Sequence, residues 1–417
     1  EISERYYEEI VKKAPESLAD TIIGLRKFLN ESDMMAYLVN MAFRIVELHR
    51  VLKPTGSLYL HCDWSAAHYL KILLDAIFGE ENFRNEIIWG YRTGGVSKRH
   101  FARKHDSIFF YTKTDNYIFN AKQERIYYEK DFFGLKKDAK GRFYADVYIR
   151  DVWDGVIKPI INVSKDRLGY PTQKPVELIE RIIEISSNKD DWVLDAFCGC
   201  GTTVAAAENL SRKWIGIDIT HLAVSLMKYR LGNSFGLEAY KDYDVVGEPV
   251  DLHGAVELAK EDKYKFQYWT LGLINAGPLG HTLKGKGGAD RGIDGFLYFI
   301  DTPKKEPKKV IVQVKGGHVG VSQIRDLKGT VEREEAAIGL FITLEEPSKQ
   351  MITEAVTSGF YHSEYLNKDY SKIQILTIEE LLNGKKPEYP FVDIPSHDIT
   401  LKRAPKVKEE SKQLKIQ

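Results

Sequence analysis

Residues 192–220, WVLDAFCGCGTTVAAAENLSRKWIGIDIT, decide the fold. Trp192–Leu194 reads as a buried strand by composition, and Asp195 ends it. Gly199 and Gly201 let the backbone turn tightly, and TTVAAAENL starts a helix. A second strand, KWIGID, ends in Asp218, 23 residues after Asp195. This is a βαβ unit, in which a ligand sits at the strand C-termini and an acidic side chain takes a ribose hydroxyl. The phosphate-binding spacing Gly-x-Gly-x-x-Gly is absent, because alanines follow Thr203. A carboxylate ahead of the loop suits a cationic ligand better than a pyrophosphate. Charge complementarity therefore points to a nucleoside bearing an amino acid. Cys198 and Cys200 form a Cys-x-Cys pair without the further ligands a metal needs.

Upstream lies Leu168-Gly169-Tyr170-Pro171-Thr172-Gln173-Lys174-Pro175, followed by the helical pattern VELIERIIEISS. YPTQKP ahead of an apolar helix, then Asp-Ala-Phe-Cys-Gly-Cys-Gly-Thr-Thr, resembles the amino-group DNA methyltransferases in their beta motif order: catalytic half, target-recognition segment, cofactor half. The resemblance implies a Rossmann-like α/β sheet that binds S-adenosylmethionine. Carried across, Asp195 faces the methionine end, Phe197, Gly199, Gly201 and Thr202 cradle the ligand, and Asp218 holds the ribose. Thr172, Gln173 and Lys174 would lie beside the cofactor's carboxylate.

Nearer the N-terminus, DMMAYLVNMAFRIVELHRVL and HYLKILLDAIFG read as helices around the strand SLYLHCD, with Gly79 as a C-cap. NEIIWGY and HDSIFFYT follow as strands. These stretches match the catalytic half of the resembled family, which supplies an Asp-Pro-Pro-Tyr/Phe tetrapeptide to the target amine. No Asp-Pro-Pro, Asn-Pro-Pro or Ser-Pro-Pro occurs in the 417 residues, and residue 1 is Glu. The expectation is a catalytic half over 1–115, incomplete at its N-terminus, in a chain that binds cofactor poorly or incompletely and does not itself methylate. His61 with Asp63, and His105 with Asp106, read as local pairs. Residues 116–165, dense in aromatics and Lys/Arg, are placed as a short target-recognition segment that stacks on bases and holds phosphates. A half-buried connector with its own small core is the equal alternative. The cofactor half is placed at 166–249.

A new pattern starts near Val250 with the helix AVELAKEDKYKFQYWTLGLI, then the strands GFLYFI, KVIVQVKGG and IGLFITL. Gly288-Ala289-Asp290-Arg291-Gly292-Ile293-Asp294-Gly295 precedes the first strand, and strand alternation puts Gln313 and Lys315 on one face. Asp294 and Gln313 could hold Mg²⁺ while Lys315 orients a water, a recipe for phosphodiester hydrolysis. A hairpin with polar residues facing solvent is the other reading. GADRGIDG, VQVKGG, QIRDLKGTVEREEA and GLFITLEEPSKQM together resemble the Mrr-like branch of the restriction-endonuclease fold. That implies an α/β endonuclease domain over 250–395, ahead of a basic flexible tail at 396–417. Glu257 and Glu261 are candidates for the helical acid that often completes such a site.

The composition permits this reading. There are 60 Lys+Arg against 60 Asp+Glu, 43% hydrophobic residues and only three cysteines, which excludes a disulfide framework and suits a cytoplasmic location. No apolar run is long enough for a membrane span. The expected function is a site-specific DNA methyltransferase, adenine-N6 in type, fused to an Mrr-like endonuclease of restriction-modification type. The partners implied are double-stranded DNA and a second copy in a homodimer. The alternative is a Mg²⁺-dependent nuclease with an inactive methyltransferase-like half.

Overall fold

The computed structural model describes residues 2–92, 96–155, 157–160, 170, 172–278, 292–301 and 307–390. Leu168, Gly169, Pro171, Gly288–Arg291 and the 396–417 tail lie outside the described residues. The chain divides into two compact units, one within 1–159, 175–193 and 206–213, the other within 160–174, 194–205 and 214–417.

The first unit opens with α1 (Ile2–Lys13), α2 (Glu16–Leu29) and α3 (Asp33–Val51). Ser32 caps α3, its side chain accepting the Met35 N–H at 3.2 Å. Strand β1 (Ser57–Cys62) and α4 (Ala67–Phe78) follow, and Gly79 closes α4 with φ +84°, as the sequence predicts. Strands β2 (Phe83–Gly90) and β3 (His105–Thr112) are antiparallel neighbours, and β1 pairs antiparallel to the other edge of β3. A separate surface sheet contains β4 (Gln123–Tyr128), β5 (Lys136–Lys137) and β6 (Phe143–Tyr148), in the order β4-β6-β5. Strand β7 (Val152–Asp154) then completes the main sheet β1-β3-β2-β7 by pairing parallel to β2. Alternation along β3 splits its side chains between two cores. Phe109 and Tyr111 join Leu18, Leu38 and Leu70 under the helices, while Ile108 and Phe110 join Trp89, Trp153 and Leu178 on the opposite face. Leu178 comes from α5 (Val176–Ser186).

The βαβ unit forms as read: β8 (Trp192–Asp195), α6 (Thr202–Asn209), β9 (Lys213–Gly216), then α7 (His221–Phe235). Its strands pair only with each other among the described residues, separate from the four-stranded sheet. The expectation that Trp192–Leu194 is buried fails, with Trp192 56% and Leu194 38% exposed. A two-stranded ribbon has few neighbours to cover it among the described residues, and Ile215 of β9, with Ile217 and Ile219 just beyond, is exposed too.

Beyond residue 250, the single helix expected from 255 to 274 is two, α8 (Leu252–Glu261) and α9 (Lys263–Leu273). Asp262 makes the break: its carboxylate accepts the Tyr264 and Lys265 N–H groups at 2.8 and 3.1 Å and so starts a new helix. Strands β10 (Gly277–Pro278), β11 (Gly295–Phe299) and β12 (Lys308–Lys315) are antiparallel. Helix α10 (Val321–Arg333), β13 (Ile338–Thr343), α11 (Lys349–Val356) and the hairpin β14 (Phe360–Ser363)–β15 (Lys368–Ser371) lead to β16 (Ile373–Thr377) and α12 (Ile378–Leu382). The sheet runs β10-β11-β12-β13-β16, parallel across its last three strands. Alternate residues of β12 feed opposite cores: Val310, Val312 and Val314 pack with Phe266 and Trp269, and Ile311 with Ile324 and Leu327. No helix among the described residues is long and apolar enough to cross a membrane.

Candidate cofactor and DNA sites

The loop after β8 is built around two carboxylates. Asp195 accepts the Phe197 N–H at 3.0 Å and the Thr203 hydroxyl at 2.5 Å. Asp218 accepts the Gly199 N–H at 3.0 Å, and the N–H and hydroxyl of Thr220 at 2.9 Å each. A carboxylate offers about four lone-pair sites. Asp195 therefore keeps capacity for a cation, and Asp218 for one further donor such as a ribose hydroxyl. Gly199 and Gly201 both have positive φ, +50° and +74°, a backbone that favours glycine. A Cβ on Gly199 would lie 2.8 Å from the Tyr170 ring, and one on Gly201 2.4 Å from Met227 Cγ. The glycines thus serve packing as well as turning. Phe197 is half exposed on the loop, free to present a ring face to a planar base.

The thiols are buried. Cys198 packs beside Met227 and beneath Gly216, and burial pushes it up to about 12; Cys200, also raised by burial, lies against Thr202 and Arg230. The upstream motif lies against the loop. Thr172 takes a left-handed φ of +64°, the Gln173 N–H reaches the Tyr170 carbonyl at 3.4 Å, and the Thr202 hydroxyl donates to the Lys174 carbonyl at 3.4 Å. Tyr170, read from the sequence only as part of the upstream motif, lies with its ring against the glycine loop. The glycine opposite its ring is the signal that could have shown this contact.

This loop lies within a matched family: residues 21–228 match the family described as "DNA methylase". Type II methyltransferase M.HpaI of Haemophilus parainfluenzae is 33% identical over 190 residues, which is 45% of this chain and 57% of that protein. DNA adenine methyltransferase YhdJ of Escherichia coli (strain K12) is 31% identical over 194 residues, 45% of this chain and 64% of that protein. A solved cytosine-N4-specific PvuII DNA methyltransferase is 18% identical, with a TM-score of 0.35, over 47% of this chain and 71% of that one. The chain spans less than two thirds of the length of these two curated relatives. Residues 279–383 match a second family, described as "NACHT-associated inactive Restriction Endonuclease 1".

Within residues 21–228, the histidine pairs differ from those expected. His61 does not pair with Asp63, nor His105 with Asp106: the β1–β3 register brings His61 Nε2 to Asp106 Oδ2 at 2.9 Å. The Tyr91 hydroxyl donates to Asp106 Oδ1 at 3.2 Å, and the His61 ring stands edge-on to Trp89. Asp63 instead orders the turn into α4 through the Ser65 N–H and hydroxyl. An antiparallel alignment of the two strands would have revealed the cluster, whereas neighbours along the chain could not.

Residues 116–165 divide between the two alternatives: Trp153 and Ile157 are buried in the core beside Trp89 and Leu178, whereas the surface sheet displays its side chains. None of residues 121–148 is buried. Its aromatics carry cations on their faces: Arg125 over Tyr144 at 3.8 Å, Arg142 over Tyr127 at 4.1 Å and Lys137 over Phe143 at 4.7 Å.

In the C-terminal domain, Asp294, immediately ahead of β11, bonds to β12 on either side of Gln313. The Asp294 N–H donates to the Val312 carbonyl at 2.9 Å, and its Oδ2 accepts the Val314 N–H at 2.7 Å. Gln313 is 5% exposed, with Nε2 donating to the Gly292 carbonyl at 3.1 Å. Lys315 ends the same strand, half buried. Glu257 and Glu261 form surface ion pairs with Lys260 and Lys265 instead of completing this site. Among the described residues no group of three or more His, Cys, Asp or Glu is arranged to hold a metal.

Proposed function

We propose that this chain binds S-adenosylmethionine at the loop 195–203 and double-stranded DNA beside it in sequence, as part of a beta-ordered DNA amino-methyltransferase of restriction-modification type. Its target is adenine N6, in keeping with the adenine methyltransferase YhdJ among its relatives. The observation that carries the reading is the glycine loop, with Gly199 and Gly201 at positive φ between Asp195 and Asp218. The cofactor supplies an electrophilic methyl group. Asp195 holds its ammonium, Asp218 its ribose and the Phe197 ring its adenine, while Thr172, Gln173, Lys174 and Thr202 border its carboxylate. The 121–148 sheet reads and stacks on DNA. The Asp-Pro-Pro-Tyr/Phe tetrapeptide does not occur in the 417 residues, so this chain binds both ligands without transferring methyl. A cytoplasmic location and a homodimer complete the proposal. Calorimetry tests it: S-adenosylmethionine should bind one site in the micromolar range or tighter, with no N6-methyladenine in incubated DNA. No cofactor binding, or methylated product, overturns it.

For the C-terminal domain we propose a restriction-endonuclease-like, Mrr-related fold that contacts DNA without cutting it. Asp294 already shares one oxygen with the Val314 N–H, and one carboxylate is a sparse donor set for Mg²⁺. A second reading, a Mg²⁺-dependent nuclease, is favoured by one observation: Gln313 Oε1 is buried without a hydrogen-bond partner. Such an oxygen costs about 1–3 kcal/mol unless something takes it. Asp294 and Gln313 would then hold the ion while Lys315 orients the attacking water. Supercoiled plasmid with Mg²⁺ separates the two. The expected result is no nicking; nicking that Lys315→Ala abolishes would establish the nuclease.

A further inference from the structure

The connection between β2 and β3 carries a charge the rest of the chain balances out. From Tyr91 to Lys104, YRTGGVSKRHFARK holds five Lys/Arg and no Asp or Glu, in a protein of formal net charge zero. Within it Phe101 is 100% exposed and Val96 98%. With Phe133 these are the most exposed apolar side chains described within residues 21–228, and here they stand among cations.

The segment is anchored, not trailing. The Tyr91 N–H donates to the Lys104 carbonyl at 2.8 Å, closing its base. Arg103 stacks on the exposed Trp64 ring at 3.6 Å. The Ser97 hydroxyl accepts the Arg99 and His100 N–H groups at 3.3 Å, which turns the chain immediately before Phe101. Its base adjoins the His61–Asp106–Tyr91 cluster. A rigid base, cations at Lys98 and Arg99, and one aromatic at the tip match a duplex, whose phosphates take the cations and whose base stack takes the ring.

We propose that Val96–Lys104 is a DNA wedge: Phe101 enters the base stack while Lys98 and Arg99 hold flanking phosphates. This rests on the methylase reading, which requires the target base to leave the helix, and the ring fills the place the base vacates. A lipid surface would also take cations and a phenyl ring, but this segment has no helical apolar face to lie on a membrane.

The probes are a random-sequence duplex, intact or with one abasic site, titrated by fluorescence anisotropy with the full chain. A wedge prefers a stack with a ready vacancy, so the wild type should bind the abasic duplex about ten-fold more tightly. Phe101→Ala should lose that preference and Phe101→Trp restore it. The double variant Lys98→Ala/Arg99→Ala should keep the preference while lowering the slope of log K against log salt by about 1.8. No wild-type preference, a preference that survives Phe101→Ala, or Phe101-dependent binding to phosphatidylserine vesicles in place of DNA overturns the wedge. S-adenosylmethionine affinity, measured on every variant, should stay at the wild-type value. Its absence from the wild type marks failure of the methylase reading, whereas its presence without an abasic preference marks failure of the wedge alone.

Discussion

Asp218→Ala is expected to lower S-adenosylmethionine affinity by about a hundred-fold or more. The carboxylate accepts the Gly199 N–H, the Thr220 N–H and the Thr220 hydroxyl. It is thus the tie between the glycine loop and the start of α7. Hydrogen bonds to a charged acceptor contribute about 1.5–3 kcal/mol each. Truncation strands two backbone donors and removes the proposed ribose partner, and about 3 kcal/mol of that loss read out in binding is roughly a hundred-fold. Asp218→Asn keeps one acceptor oxygen and should fall between alanine and wild type. Calorimetry at one temperature, beside a thermal melt of each variant, separates a lost ligand contact from an unfolded loop. If Asp218→Ala remains folded and binds like the wild type, the cofactor lies elsewhere.

How far the sequence revealed these features depended on whether each signal was local. The βαβ unit at 192–220 was legible because glycines, alternating apolar residues and two acids are all short-range patterns, and every element of it forms. The Gly79 cap and the strands at 295–299, 308–315 and 338–343 were legible for the same reason. The exposure of Trp192 and Leu194 was not, because burial depends on what covers a strand, and β8 has only β9 beside it among the described residues. Nor was the His61–Asp106 pair, which requires the register of β1 on β3. The break at Asp262 could have been read. An Asp followed by two free helix N–H groups is an N-cap signal, but the apolar periodicity running through it argued for one helix.

The putting-together of Asp294 with Gln313 and Lys315 shows the same boundary. Strand alternation correctly places Gln313 and Lys315 on one side of β12, with Val312 and Val314 in the core on the other. Which way the Gln313 amide turns is a tertiary fact. Gly292, at φ +74°, brings its carbonyl within 3.1 Å of Nε2 and holds the side chain. Residue pattern alone therefore could suggest a metal site but could not orient its oxygen.

Trp269→Ala is expected to destabilise the C-terminal core by about 3–5 kcal/mol, the usual range for a large aromatic truncated in a packed interior. Trp269 is 1% exposed and packs beside Phe266 in the layer between α9 and β12. At roughly 2–4 °C per kcal/mol for a body of this size, the melting transition should fall by about 6–20 °C. Trp269→Phe discriminates packing from polarity. The indole N–H is buried without a hydrogen-bond partner, so phenylalanine removes a donor as well as volume, and the two effects oppose each other. Its cost should stay below about 1.5 kcal/mol. Helix α9 also lies against α7, closely enough that a Cβ on Gly272 would fall 2.0 Å from Ser225 Oγ. Below its lowered transition, Trp269→Ala should nevertheless keep S-adenosylmethionine affinity, since the ring touches the sheet core and not the cofactor loop. A melt in which alanine and phenylalanine cost the same would refute the packing account. A loss of cofactor binding in the still-folded alanine variant would show that the α7–α9 contact carries the core's state to Asp218.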